Sequence, residues 1–185
     1  MARVKFVTRE NLTGKNKEAY EEQLQKSGSV TNMKKALLNS FETYSAYMGW
    51  YTSYARLQEV LGERDSIIYA HAISTTNSCL LCSLFFISDL KDIGEDPDAL
   101  SFDEKEEVLV ELAEAIVKDP TDVPDALFDK LHTYFTDEEI VVIVGFAGQM
   151  IATNTFNSVL KIDVDARLKA LEGEFKPATW RDGLK

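Results

Sequence analysis

Thr136-Asp137-Glu138-Glu139-Ile140-Val141-Val142-Ile143-Val144-Gly145-Phe146-Ala147-Gly148-Gln149-Met150-Ile151-Ala152-Thr153-Asn154-Thr155-Phe156-Asn157-Ser158-Val159-Leu160 is the stretch that decides the fold. Taken alone, Ile140 to Val144 reads as a buried strand, because β-branched residues pack well in sheets. Two observations overrule that. Thr136 and Glu139 stand three apart as a capping box, which satisfies the first free amides of a helix. The apolar run then continues for about twenty residues without a turn, far beyond the usual strand. The spacing therefore predicts a central helix, apolar nearly all round and hence buried. Within it, Gly145 and Gly148 read as small residues for close packing, not as a phosphate-binding loop. Asn154 and Asn157 are amides on an apolar helix, and they need partners across helices or subunits.

Working outward, helical spacing recurs. Lys15 to Ser27 is a polar surface helix. From Met33 to Val60 the large residues, Phe41, Tyr44, Tyr47, Met48, Tyr51, Tyr54 and Leu57, step by threes and fours up to Gly62. Arg64 to Thr76 repeats Ile67, Ile68, His71 and Ala72 at helical intervals. A further helix is expected from a cap at Asn77 or Ser78 through Asp89. Gly94 to Asp98 is a loop, and Ser101-Phe102-Asp103-Glu104 reads as a capping box before Val108, Leu109, Leu112, Ala115 and Ile116. Pro120 and Pro124 bracket a turn ahead of a helix from Asp125 to Tyr134. Asp163 to Glu172 reads as a short helix. No segment asks for a strand, so the expected fold is all-α. The expected division is an N-terminal extension at 1–32, one helical domain at 33–172 and a tail at 173–185.

Composition narrows the function. The chain has 185 residues, with 20 Lys and Arg against 31 Asp and Glu, a formal charge of −11. Its size supports a core without disulfide or metal staples. The acid surplus argues against nucleic acid and against an anionic membrane surface. No unbroken apolar run approaches the roughly 18 residues of a membrane span. The segment Met1-Ala2-Arg3-Val4-Lys5-Phe6-Val7-Thr8-Arg9-Glu10-Asn11 is charged throughout and lacks the apolar centre of a signal peptide, so a cytoplasmic location is expected. Nothing suggests a flavin, haem, nucleotide or other cofactor, and no metal is expected.

The two cysteines, Cys79 and Cys82, stand in Asn77-Ser78-Cys79-Leu80-Leu81-Cys82-Ser83. At a helix start, residues three apart share a face, and the free amides with the helix dipole favour a thiolate. Such a pair suits dithiol chemistry, in which one sulfur attacks and the other closes a disulfide. A half zinc site is a second reading, with His71 and His132 as the remaining soft ligands. Two small buried apolar residues are a third. The stripe Phe41, Tyr44, Tyr47, Trp50, Tyr51 and Tyr54 serves as core, oligomer contact or pocket wall.

The chain resembles the carboxymuconolactone decarboxylase / alkylhydroperoxidase D-like family. The resemblance rests on Asn77 to Cys82, on Phe135-Thr136-Asp137-Glu138-Glu139-Ile140-Val141 and on Ala152-Thr153-Asn154-Thr155-Phe156-Asn157, over roughly Phe41 to Asp165. It implies an oligomerising helical fold, a homo-oligomer with the dithiol near a subunit interface. It also implies peroxide reduction, with Cys82 attacking and Cys79 resolving, a small-molecule peroxide as substrate and a separate thiol as reductant. The family's relay Glu, twelve residues before the first cysteine, is Ile67 here. Its relay His, four after the second, is Phe86. His71 lies one turn beyond Ile67 and is the candidate substitute, since an ordinary imidazole shuttles protons near neutrality. A redox-sensing or non-catalytic oligomer, and decarboxylation of a lactone acid, are the alternative functions.

Overall fold

A computed structural model describes residues 1–177. Eight α-helices follow one another among the described residues: α1 Gly14–Ser27, α2 Asn32–Leu37, α3 Phe41–Leu61, α4 Glu63–Thr76, α5 Leu80–Asp92, α6 Glu104–Lys118, α7 Asp125–Leu131 and α8 Asp137–Leu160. Tighter 3₁₀ turns occupy Arg9–Asn11 and Ala166–Glu174. The described residues contain no strand. The tail beyond 177 lies outside the described residues.

The all-α expectation holds, and the differences from it are local. The single helix read from Met33 to Val60 is two, because Thr31 caps α2 and Ser40 caps α3 through the Lys34 and Thr43 amides. Leu38 and Asn39 break the run without glycine or proline. The second capping box sits two residues later than read, on Asp103 and Glu106. The last segment, read as a short helix from Asp163 to Glu172, is a 3₁₀ helix over Ala166–Glu174.

Helix α4 lies at the middle and packs on α3, α5, α6 and α8. Its Ile67, Ile68, Tyr69, Ala70 and Ile73 are buried in one cluster with Leu109 and Leu112 of α6 and Ile143, Phe146 and Met150 of α8. Burying such side chains stabilises by about 1.5–3 kcal/mol each. A second cluster joins Val7, Leu12, Ala19 and Val30 to Leu37, Leu38 and Tyr44.

The capping box of α8 forms on Thr136 and Glu139 as its sequence implies. The expectation of burial all round fails. Ile140, Ile143, Phe146, Ala147, Met150, Thr153, Asn154 and Asn157 face inward, whereas Val141 is 70% and Val159 55% exposed. Gly145 and Gly148 lie on that outer side, and among the described residues nothing lies within 4 Å of where a Cβ would stand. Close packing among those residues is not what keeps them small. Averaged over a window of 18 residues, α8 reaches a mean hydropathy of 1.4, long and apolar enough to cross a membrane by length and composition alone. Core helices of water-soluble folds meet the same measure.

Candidate dithiol site

Helix α4 ends at Thr76, and Ser78 takes a left-handed backbone with φ 56°. That turn lets the Cys79 amide donate back to the Ser74 carbonyl at 2.9 Å. The cap of α5 is therefore Cys79 itself, not Asn77 or Ser78. Its sulfur accepts the Cys82 backbone N–H at 3.4 Å, filling the place an Asp or Ser oxygen holds at other helix starts.

The two sulfurs lie 2.6 Å apart, and both are free thiols. They are buried, Cys79 at 1% and Cys82 at 4% exposure. Their environments push them in opposite directions. The Cys82 thiol and amide donate to the Cys79 sulfur and draw its pKa down against the cost of burial. Burial and the adjoining Cys79 charge push the Cys82 thiol well up. Of the two sulfurs, the one at the helix start, Cys79, is therefore the one favoured to give up its proton first.

Helix α8 supplies the amides. Asn157 Nδ2 donates to Cys82 Sγ at 3.2 Å and reaches Met33 Sδ at 3.4 Å. Asn154 Nδ2 donates to Ser74 Oγ at 3.3 Å, and its Oδ1 accepts from Asn77 Nδ2 at 3.3 Å. The partners of both asparagines lie across helices within the chain. Asn157 Oδ1 is buried with no hydrogen-bond partner among the described residues. An unpaired buried acceptor costs about 1–3 kcal/mol.

Cys82 also opens onto a cavity of about 360 Å³. Tyr47, Trp50, Tyr51 and Tyr54 of α3, Phe85 and Phe86 of α5 and Met150 of α8 wall it. The aromatic stripe is thus pocket wall as well as core, with Trp50 and Tyr54 stacked at 4.7 Å. Charged groups also line it: Lys34, Asp89 and Arg167. Lys34 Nζ donates to Gln23 Oε1 at 2.8 Å and lies 4.6 Å above the Tyr51 ring. Burial draws its pKa down to about 8. Burial raises Asp89, while the Arg167 guanidinium, 4.5 Å from the Phe85 ring, opposes that shift.

Of the residues singled out from sequence, the structure brings together Cys79 and Cys82. The His71 ring contacts Thr75 Oγ1 at 3.3 Å, and that hydroxyl lies 3.4 Å from Ser83 Oγ. Burial pushes His71 down to about 4, so it is neutral at pH 7. Neither His71 nor Ile67 is among the cavity's lining residues, whereas Phe86 is. His132 lies half exposed, 3.7 Å from Asp137. Among the described residues no group of three or more His, Cys, Asp or Glu is arranged to hold a metal ion.

Sequence reasoning missed Asn157 as a sulfur ligand, together with Lys34, Asp89 and Arg167. A signal existed for two of them. Cys82, Phe86 and Asp89 follow the i, i+4, i+7 rule on α5, and Thr153 and Asn157 stand four apart on α8.

No protein-family model matches the chain, and no curated protein matches it. Solved structures do. An uncharacterized peroxidase-related protein from Silicibacter sp. TM1040 superposes with TM-score 0.73 at 18% identity, covering 95% of this chain and 96% of that one. The debrominase Bmp8 gives TM-score 0.74 at 15% identity, covering 92% and 96%. A cysteine-to-alanine variant of Bmp8, in complex with 2,3,4-tribromopyrrole, gives 0.73. An alkylhydroperoxidase AhpD core, a peroxidase-related protein from Ralstonia eutropha JMP134, gives 0.69 at 15% identity, covering 96% and 98%. At these identities the likeness is one of architecture, and over nearly its whole length the chain has the all-helical alkylhydroperoxidase D-like fold of peroxidase-related proteins.

Proposed function

We propose that the chain is a thiol-dependent peroxidase in which Cys82 attacks a hydroperoxide and Cys79 resolves the product. The observation that carries this reading is the placement of Cys82 in the wall of an apolar cavity, with Cys79 2.6 Å behind it. The proton on Cys82 passes to Cys79, and the Cys82 thiolate attacks the hydrogen-bearing oxygen. The O–O bond breaks with its electron pair on the departing alkoxide, which takes the proton from Cys79 and leaves as the alcohol. Cys79, again a thiolate, attacks the sulfenic sulfur of Cys82. A disulfide forms, and hydroxide leaves and is protonated by solvent. An external dithiol then reduces the disulfide and is itself oxidised. In this reading Cys79 takes the part of the base that Ile67 and Phe86 do not provide, and His71 has none.

The test is dithiol-dependent consumption of cumene hydroperoxide. Wild type is expected to turn over, Cys82→Ser to lose all turnover, and Cys79→Ser, lacking both the base and the resolving thiol, to react slowly and stop after one equivalent with a sulfenic acid that dimedone traps. His71→Ala is expected to retain turnover. Wild type that consumes no peroxide overturns the reading.

A second reading follows from the size of the cavity and its aromatic walls, which exceed what hydrogen peroxide needs. Cys82 would attack a ring-bound bromine, leaving a ring carbanion that is protonated, and Cys79 would expel bromide as the disulfide forms. The debrominase likeness supports it. Bromide released from 2,3,4-tribromopyrrole by wild type, without peroxide turnover, would favour this reading over the first.

The exposed face of α8 supports the expected homo-oligomer. Val141, Gly145, Gly148, Ala152, Thr155 and Val159 are exposed at alternating spacings of four and three, a seam that suits a second helix. Light scattering on the purified chain tests it, and a monomer at high concentration overturns it.

A further inference from the structure

We propose that Asn157 is a catalytic residue that holds both reaction partners at once, its Nδ2 on the Cys82 sulfur and its Oδ1 on the O–H of the incoming hydroperoxide. The inference rests on the peroxidase reading and adds the group that selects and aligns the substrate.

Asn157 is 4% exposed and lines the cavity beside Cys82. Its Nδ2 is engaged, 3.2 Å from Cys82 Sγ. Its Oδ1 is buried and has no partner among the described residues. Both atoms belong to one planar carboxamide, so a donor bound to Oδ1 is held next to the sulfur that Nδ2 holds. Two other hydroxyls in the wall are already engaged. The Thr153 hydroxyl donates to the Gln149 carbonyl at 3.0 Å, and the Tyr47 hydroxyl to the Ala152 carbonyl at 3.4 Å.

A hydroperoxide carries its one donor on the oxygen that is attacked. Accepting that O–H therefore brings the reacting atom to the sulfur, and the other oxygen, which leaves, points away. The sulfur gives an electron pair to the hydrogen-bearing oxygen, and the O–O bond breaks with its pair on the alkoxide. The hydrogen stays on the transferred oxygen as the sulfenic acid, still held by Oδ1. The alkoxide takes its proton from Cys79 as before. The ligand class is thus compounds with a donor on the reacting atom, hydroperoxides above all.

The experiment compares two reagents on the full chain. Iodomethane carries no hydrogen-bond donor and senses only how Nδ2 holds the sulfur; cumene hydroperoxide senses both atoms. Asn157→Leu is expected to slow alkylation of Cys82 about tenfold, the loss of one donor to a thiolate. It is expected to lower kcat/KM for the hydroperoxide a further tenfold or more, about a hundredfold in all. Asn157→Asp loses the donor but keeps a stronger, charged acceptor for the O–H, so its loss in alkylation should exceed its loss in peroxide reduction, and equal losses count against the proposal. That reversed pattern decides the matter even if the leucine variant fails to fold. Equal losses on both reagents in Asn157→Leu, or no loss on either, overturn the proposal while leaving the peroxidase reading intact. A wild type without peroxide turnover overturns both, and the alkylation rates then report the Nδ2 contact alone.

Discussion

Helix α8 has two faces, and they are composed the wrong way round for a surface helix. Its inner face buries Thr153, Asn154 and Asn157 among Phe146, Ala147 and Met150, whereas its outer face presents Val141, Val144 and Val159. An amphipathic helix ordinarily buries its valines and exposes its amides. Burying a polar group costs energy unless it is hydrogen-bonded, and here nearly every such group is: Asn154 to Ser74 and Asn77, Thr153 to Gln149, Asn157 to Cys82. The inner polar residues thus belong to the ground around the sulfurs. The outer apolar ones belong to no hydrophobic cluster among the described residues. One helix serves a site on one side and shows an unused apolar seam on the other.

The comparison is broken most severely from its inner side. Phe146 touches the Trp50, Tyr54 and Tyr69 rings and is 1% exposed. Phe146→Ala is expected to destabilise by about 3–5 kcal/mol in urea unfolding, because the cavity left behind cannot close.

His71 sharpens it next, as a half-buried polar group of α4 that titrates. Its folded pKa is about 4, below the unfolded value near 6.5. Between those values the unfolded chain binds more protons, so stability is full above pH 6.5 and falls as pH drops toward 4. The loss should reach about 3 kcal/mol, read as unfolding midpoints across that range. His71→Gln should flatten this part of the profile.

Asn154→Ala comes third. It removes the donor to Ser74 Oγ and the acceptor of the Asn77 amide, and the expected cost is about 1–3 kcal/mol. If the cost is nil, the inner polar groups are not what the comparison takes them for. The smallest effect belongs to the outer face. Val159→Thr should change stability by no more than about 0.5 kcal/mol. A large loss there, at all protein concentrations, would mean that the seam is covered within the chain itself.

Much of this was legible from sequence. The Thr136–Glu139 box and the length of the following run gave α8, and the i, i+3 spacing gave the adjacent sulfurs. What failed did so for local reasons. Ser40 caps α3 in a stretch with no glycine or proline to mark the break. Cys79 caps α5 in place of Asn77 or Ser78 because Ser78 adopts a left-handed backbone, which a propensity scale does not anticipate. Of the two asparagines read as needing partners, neither could be assigned one without knowing that α8 crosses both α4 and α5. The lysine at 34, on a helix six residues long, carries no periodic signal at all. The burial of α8 was overestimated because hydropathy reports that a residue prefers to be covered, and not whether its own chain covers it.

A sulfur that can be approached only along a lined passage is shielded from most of what would oxidise or alkylate an open thiol. Cys82 meets molecules that first fit between the rings of α3 and α5. Size and shape are therefore sorted in the passage, ahead of any hydrogen bond made beside the sulfur. If the pair cycles as proposed, a reductant that uses the same opening takes turns there with the substrate.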